Sequence, residues 1–211
     1  MHIPDGFLSP PVFLSAWVAA LGGVGWALRR TRQALQDKMV PLMGVMAAFI
    51  FAAQMINFPV PGGTSGHLIG GVLAGVVLGP WAGTVVLALV LGVQCLVFQD
   101  GGLTALGANI LNMALIGAWG GASLYALLRK LLPRANRPAA AAVCAWASVV
   151  GSSAACAVEL ALSGTSPMRI VLPAMLAVHV LIGIGEAVIT AMILGFILKV
   201  RPDLVAMEAR S

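Results

Sequence analysis

The stretch IVLPAMLAVHVLIGIGEAVITAMILGFIL, from Ile170 to Leu198, contains only two ionisable side chains, His179 and Glu186. A helix needs about 20 apolar residues to cross a hydrocarbon core of about 30 Å, so this stretch is long enough to span a bilayer. The rest of the chain is similar, because 60% of its 211 residues are hydrophobic and only 9% are charged. Its mean hydropathy is +1.01. This composition predicts an integral membrane protein.

Seven hydrophobic segments follow one another without a linker, and we expect an all-α membrane protein of about seven transmembrane helices in a single domain, residues 1–211. The segments cover residues 12–28, 39–58, 67–79, 81–98, 103–128, 138–162 and 170–198. The third has about 13 residues and would extend for only about 20 Å as a helix. We therefore expect it to begin inside the bilayer, beneath a re-entrant loop.

Basic residues are concentrated after segments one, five and seven. They are Arg29, Arg30, Arg32, Lys38, Arg129, Lys130, Arg134, Arg137, Lys199, Arg201 and Arg210, and only Arg169 falls on the opposite side. Because Lys and Arg accumulate on the cytoplasmic side, this pattern predicts an outside amino terminus, a cytoplasmic carboxyl terminus and a multi-pass protein of the inner (plasma) membrane. Contact with acidic lipids explains the net charge of +5, so no nucleic-acid partner is expected.

The chain begins Met1-His2-Ile3-Pro4-Asp5-Gly6, which places a free amine beside a histidine. The Met1 amine, the deprotonated backbone nitrogen of His2 and the His2 imidazole can form two adjoining chelate rings on one divalent ion. Such nitrogen-rich tetragonal sites suit Ni²⁺ or Cu²⁺, and Co²⁺ is close in affinity. We expect Met1 to be retained, since methionine aminopeptidase requires a small second residue. Pro4 and the Asp5-Gly6 turn favour a terminus that folds back into the protein.

His67 follows a loop rich in Pro and Gly, FPVPGGTSG over residues 58–66, on the same predicted side as Met1. The loop's glycines allow another segment to approach closely. His67 is either a structural loop histidine or the fourth nitrogen ligand of a metal site. The second nitrogen donor set at Met1-His2 favours the ligand interpretation.

Other polar residues at membrane depth have two interpretations each. Asp100, Asn109 and Asn112 either bond neighbouring helices or form a second shell that orients the histidines and the amino-terminal loop. His179, Glu186 and Glu159 resemble a proton relay or a metal pair, although internal hydrogen bonding is the simpler role. No nucleophile elbow or HExxH motif accompanies them, so we do not expect an enzyme.

Two further patterns concern packing. The cysteines lack CxxC pairing and lie in hydrophobic segments, which favours lipid-buried thiols over disulfides or metal ligands: Cys95, Cys144 and Cys156. Small residues at four-residue spacing allow close helix packing. Among these, Gly44, Ala48 and Ala52 are our candidate face for a partner membrane protein.

With these residues, the chain closely resembles the CbiM/NikM family, the substrate-binding S components of energy-coupling factor (ECF) transporters for cobalt and nickel. The resemblance covers most of the chain. It is most specific in residues 1–6, in residues 59–67, and in residues 94–113, which include Gln94, Asp100-Gly101-Gly102 and Gly107-Ala108-Asn109.

The resemblance implies a seven-helix bundle in which an additional first helix, residues 12–28, precedes a six-helix core, residues 39–198. Residues 1–11 would insert into the bundle and hold the ion through Met1, His2 and His67. It also implies a non-catalytic subunit that captures Ni²⁺ or Co²⁺ as transported substrate, without an organic cofactor.

The implied partners are a transmembrane coupling (T) protein, two ATP-binding cassette subunits and a small accessory membrane protein. The chain has no GxxxxGK[ST] loop for ATP. The sequence of residues 1–6 and the additional first helix favour nickel as the transported ion, with cobalt as the alternative. A secondary metal carrier and an intramembrane metalloenzyme are the remaining alternatives.

Overall fold

The computed structural model describes residues 1–37, 39–60 and 64–208, and the chain is mostly helical, at 76%. Predictions that rest on Lys38, residues 61–63 and Arg210 lie outside these ranges. The described residues contain seven helices: α1 (Pro10–Ala34), α2 (Met39–Gln54), α3 (Gly71–Leu78), α4 (Pro80–Phe98), α5 (Leu106–Leu131), α6 (Arg137–Leu162) and α7 (Met168–Val200). The central part of α5, Leu111–Gly120, is π-helical.

Five of these helices, α1, α4, α5, α6 and α7, are long and apolar enough to cross a membrane. The other two are shorter, with 16 residues in α2 and 8 in α3. Together with the apolar composition, these helices identify an integral membrane protein, as the sequence predicted. A short 3₁₀ turn, Pro202–Leu204, follows α7.

The helix bounds agree closely with the hydropathy pattern for three of the seven helices. Helices α4, α6 and α7 begin and end within two residues of the predicted segments. Helix α1 instead continues to Ala34, six residues past its predicted end, and α5 begins and ends three residues later than predicted. Helix α2 stops at Gln54, four residues before the predicted end of its segment. The next strand, β1 (Phe58–Val60), pairs antiparallel with β2 (Thr64–Gly66), so that Phe58 is paired with Gly66. The expectation that His67 opens a helix is wrong: α3 begins at Gly71.

Helix α3 lies at the centre of the bundle, and all eight of its residues are buried. Small residues allow this position. A Cβ atom added to Gly71 would lie 2.7 Å from the Gly117 backbone, and one added to Gly83 would lie 2.7 Å from the Gly75 nitrogen. Glycines of α3, α4 and α5 therefore allow these helices to pack closely inside this chain. Gly44, Ala48 and Ala52, in contrast, are exposed along α2. The three cysteines are free and buried.

Candidate metal-binding site

The first residues of the chain are inserted into the bundle. Met1 and Ile3 are 0% exposed, and His2 is 4% exposed. The side-chain amide of Asn109 on α5 makes two hydrogen bonds to the Ile3 backbone. Its Oδ1 accepts from the Ile3 N–H at 2.9 Å, and its Nδ2 donates to the Ile3 carbonyl at 3.2 Å. The Gly102 N–H also donates to that carbonyl, at 2.9 Å. These bonds replace those that water would make to the buried backbone.

Asp5 anchors the outer part of the same segment to the loop between α4 and α5. Its carboxylate accepts from the Leu103 N–H at 3.0 Å and from the Thr104 N–H and hydroxyl at 2.7 and 2.5 Å. Hydrogen bonds from Thr104 hold the pKa of Asp5 below its usual value. A Cβ atom at position 102 would lie 2.2 Å from the Asp5 nitrogen, so only glycine permits this approach.

The β-hairpin contributes the next contact. The Met1 amine and the His2 N–H both donate to the Ser65 hydroxyl, at 3.3 Å each. One oxygen atom therefore brings together the two nitrogens that a chelate at the terminus would use.

The imidazole of His2 is held in one tautomer. Its Nε2 is 3.1 Å from Oε1 of Gln94 on α4. Because an amide oxygen can only accept a hydrogen bond, the proton must be on Nε2. The lone pair is then on Nδ1, 3.3 Å from Oδ1 of Asp100. A lone pair and a carboxylate oxygen repel each other, and a divalent cation bound to Nδ1 would convert this repulsion into attraction.

The imidazole of His67 has the complementary arrangement. Its Nδ1 donates to the Leu68 carbonyl at 2.8 Å, which leaves the lone pair on Nε2. That Nε2 is buried and has no hydrogen-bond partner among the described residues. The ring stacks on the His2 ring, with centroids 4.5 Å apart and an interplanar angle of 22°. Two histidine lone pairs and the amino terminus thus share one buried location.

Burial keeps these nitrogens unprotonated. Desolvation lowers the pKa of the Met1 amine from 8.0 to about 5 and that of His2 from 6.5 to about 3. Desolvation also lowers the pKa of His67 well below 6.5, and the nearby amine and His2 add to this effect. At neutral pH all three groups therefore carry lone pairs that are available to a metal ion.

The other polar residues of the bundle have their hydrogen-bond partners outside these nitrogens, and His179 lies close enough to interact electrostatically with the Met1 amine and His67. Asn112 donates to Glu159 Oε2 at 2.6 Å, and its backbone carbonyl accepts from the Ser152 hydroxyl, so its contacts join α5 and α6. His179 donates from Nδ1 to the Met175 carbonyl at 2.8 Å, and Glu186 accepts from the backbone before α3.

Among the described residues, no three His, Cys, Asp or Glu side chains form a group that could hold a metal ion. The arrangement at the amino terminus uses only two side chains. Its remaining donors are the amine and a backbone nitrogen.

Two contributors, Gln94 and Ser65, were not predicted as site residues. Gln94 was visible in the sequence as an uncharged polar residue within the apolar α4, which is itself a signal of function at membrane depth. Ser65 gave no such signal, because a serine in a loop rich in Gly and Pro is ordinary turn chemistry.

The fold and this site define a class: a membrane protein of several spanning helices whose amino terminus is buried beside a loop histidine. The chain belongs to the CbiM family, described as the cobalt uptake substrate-specific transmembrane region, whose sequence profile matches residues 2–204. Its members are components of cobalt and nickel transporters that work with other subunits.

Individual proteins support this assignment. The chain is 40% identical to a putative fused nickel transport protein NikMN of Archaeoglobus fulgidus, over 99% of this chain and 69% of that protein. It is 41% identical to a putative metal transport protein of Haloquadratum walsbyi, over 97% and 93%. A crystal structure of a truncated transition metal transporter superposes with a TM-score of 0.88 at 35% identity, covering 94% of this chain and 99% of that one.

Proposed function

We propose that this chain is the substrate-specificity (S) component of an ATP-driven ECF importer, and that it captures Ni²⁺ or Co²⁺ from outside the cell. The observation that carries the proposal is the burial of the Met1 amine and the His2 backbone nitrogen, both bonded to Ser65, beside two imidazoles with fixed tautomers. The capture residues are Met1, His2 and His67.

In the proposed complex, four nitrogens surround the ion. The Met1 amine and the His2 backbone nitrogen close a five-membered ring, and the His2 backbone nitrogen and Nδ1 close a six-membered ring. Nε2 of His67 supplies the fourth donor. The hydrogen bond from His2 Nε2 to Gln94 supports this arrangement, because it leaves Nδ1, the only ring nitrogen that can close the chelate, free to bind. Asp100 and Asn109 orient His2 and the terminal backbone.

The ion itself is a choice between two close competitors. A planar set of four nitrogens suits Ni²⁺, and the Archaeoglobus relative carries a nickel name, whereas the family description names cobalt. We favour Ni²⁺ as the substrate and Co²⁺ as the alternative.

The proposed machinery consists of a transmembrane coupling protein, two ABC-type ATPases and a small accessory membrane protein. The proposed topology has seven crossings of the inner membrane, an outside amino terminus and a cytoplasmic carboxyl terminus, in agreement with the charge pattern. The exposed small residues of α2, Gly44, Ala48 and Ala52, are the proposed face for the coupling protein.

Uptake of radioactive Ni²⁺ into membrane vesicles tests the proposal. Vesicles that contain this chain together with the coupling protein and both ATPases should accumulate Ni²⁺ only with ATP, and a Walker-lysine variant of the ATPases should abolish uptake. Accumulation by this chain without ATPases would contradict the proposal and favour a secondary carrier.

The pH dependence of metal binding gives a second prediction. Burial lowers the pKa of the Met1 amine to about 5 and that of His2 to about 3, so at pH 7 only the His2 backbone N–H must lose a proton to the solvent. We expect about one proton released per Ni²⁺, and an affinity that rises about tenfold per pH unit between pH 6 and 8. Below about pH 5 the amine gains a proton, and the dependence should become steeper.

Calorimetry in buffers of different ionisation enthalpy measures this proton release. Release of two or more protons per ion at pH 7 would show that the amine or a histidine is protonated before binding, which contradicts the proposed state of the site.

A further inference from the structure

The segment from His67 to Gly70 connects β2 to α3 without regular secondary structure. It carries one of the proposed metal ligands, yet no helix or strand ladder fixes its backbone. Because His67 and Ile69 are fully buried, the segment's backbone groups need partners from neighbouring elements. The identity of those partners decides what holds the ligand in place.

Helix α3 cannot supply a partner at its own start. Its N-cap position is Gly70, which has a φ of 72° and no side chain that could accept a hydrogen bond. A Cβ atom there would lie 2.9 Å from Cγ1 of Ile50, so the position excludes the Ser, Thr, Asn and Asp residues that usually cap helices. The acceptor must come from elsewhere in the chain.

Glu186 on α7 is that acceptor. Its Oε2 accepts from the Ile69 N–H at 2.5 Å, and its Oε1 accepts from the Gly70 N–H at 3.0 Å. From the other side, Nε2 of Gln54 on α2 donates to the Ile69 carbonyl at 2.9 Å. Glu186 is 2% exposed and Gln54 is 0% exposed. Side chains from two helices thus hold the peptide groups on both sides of Ile69.

The bond from Glu186 reaches His67 through one peptide group. The Ile69 N–H and the Leu68 carbonyl belong to the same peptide unit, and that carbonyl accepts the hydrogen bond from His67 Nδ1 at 2.8 Å. A carboxylate bound to the N–H polarises the peptide and makes its carbonyl a stronger acceptor. This strengthens the bond to Nδ1–H, fixes the tautomer and makes Nε2 more basic, as outer-shell carboxylates do for ligating histidines.

We propose that Glu186 is a positioning residue of the metal site, which acts through the Leu68–Ile69 peptide to hold His67 with Nε2 directed at the ion. The inference rests on the proposed function. Glu186 lies on α7, two helical turns from His179, and this position alone does not suggest a role in metal affinity.

A role limited to capping α3 would have a different signature. Loss of a cap lowers the stability of the whole bundle but leaves the donor set of the bound ion unchanged. Loss of a positioning residue changes the ligand field at the metal. The absorption spectrum of bound Ni²⁺ separates the two, because its d–d bands report on the donors and their geometry.

The test compares Glu186→Ala, Glu186→Gln and a control, Glu208→Gln, in the full chain that begins at Met1. Glu208 is a suitable control because its carboxylate accepts from the Tyr125 hydroxyl at 2.5 Å and pairs with Arg137 at 2.9 Å. It lies near the other end of α3, where the Met207 N–H bonds to the Val76 carbonyl. The measurements are the Ni²⁺ dissociation constant, the d–d spectrum and the thermal unfolding midpoint.

We expect Glu186→Ala to weaken Ni²⁺ binding about 10- to 100-fold, which is the range found when outer-shell partners are removed. The d–d band should shift as well. Glu186→Gln keeps one acceptor oxygen for the Ile69 N–H and should recover part of the loss. Glu208→Gln should bind Ni²⁺ within about twofold of the native sequence with an unchanged band. If Glu186→Ala does not fold, the shifted band and weaker binding of Glu186→Gln decide the question.

Two results would overturn the inference: unchanged affinity and spectrum in Glu186→Ala, or an equal loss of affinity in Glu208→Gln. If Glu186→Ala does not fold, unchanged affinity and spectrum in Glu186→Gln would overturn it instead. The native sequence, measured alongside, distinguishes this failure from that of the proposed function. If the native protein binds neither Ni²⁺ nor Co²⁺, the proposed function fails. If it binds Ni²⁺ and the Glu186 variants match it, only the role of Glu186 fails.

Discussion

A version of the protein whose Met1 amine is blocked by a retained amino-terminal extension should lose stoichiometric Ni²⁺. The extension removes the amine as a nitrogen donor and with it one chelate ring. Because Met1 is fully buried, the bundle also has no space for additional residues before it. We expect the affinity to fall by more than about 100-fold, beyond the range reached by loss of an outer-shell partner alone. Elemental analysis of purified protein, with Ni²⁺ and Co²⁺ offered together, measures this loss and names the preferred ion.

The design of that variant matters. An alanine placed after Met1 invites removal of Met1 and leaves an Ala-His terminus that rebuilds the chelate. The added extension must therefore be one that is retained, so that the Met1 nitrogen stays within a peptide bond. Equal metal in the blocked and native proteins would exclude the amino terminus as the site and direct attention to His179 and Glu186.

His67→Ala should have the second-largest effect. It removes the fourth nitrogen from a plane whose other three come from Met1 and His2, and we expect Ni²⁺ affinity to fall by about 100-fold or more. His179→Ala is the matched control, because His179 is also fully buried, also donates from Nδ1 to a backbone carbonyl and also has an Nε2 without a partner among the described residues. Isothermal titration with Ni²⁺ compares the two.

We expect His179→Ala to bind Ni²⁺ within about threefold of the native protein. Imidazole added to the buffer should restore part of the affinity of His67→Ala, since the deleted ring leaves a cavity beside His2. If instead His179→Ala lost the metal and His67→Ala kept it, the assignment of the fourth ligand would be wrong.

The spanning-length helices could be predicted from sequence because burial in lipid requires long apolar runs, and α4, α6 and α7 follow those runs to within two residues. The structure of the region between α2 and α3 could not be predicted from the sequence. Its Pro and Gly residues indicate a loop, and the pairing of Phe58–Val60 with Thr64–Gly66 depends on contacts that the local pattern does not contain. The complete burial of α3 is likewise a property of the assembled bundle.

The candidate site divides in the same way. A terminal amine next to a histidine is chelating chemistry that one dipeptide contains, so Met1 and His2 could be proposed directly. Other contacts of the site join residues about 90 to 120 positions apart. They are the hydrogen bonds between Asn109 and Ile3, between His2 and Gln94, and between Glu186 and Ile69. A single sequence marks such residues as costly polar groups at membrane depth, but it does not say which backbone atoms they contact.

The central claim is that four nitrogens from Met1, His2 and His67 surround one ion. The most direct test is X-ray absorption at the nickel edge on the native-start protein loaded with one equivalent of Ni²⁺. We predict the pre-edge signature of a square-planar ion, a shell of four nitrogens and outer-shell scattering from imidazole rings. A six-coordinate, oxygen-rich shell, or a sulfur scatterer that places a buried thiol such as Cys156 on the metal, would contradict it.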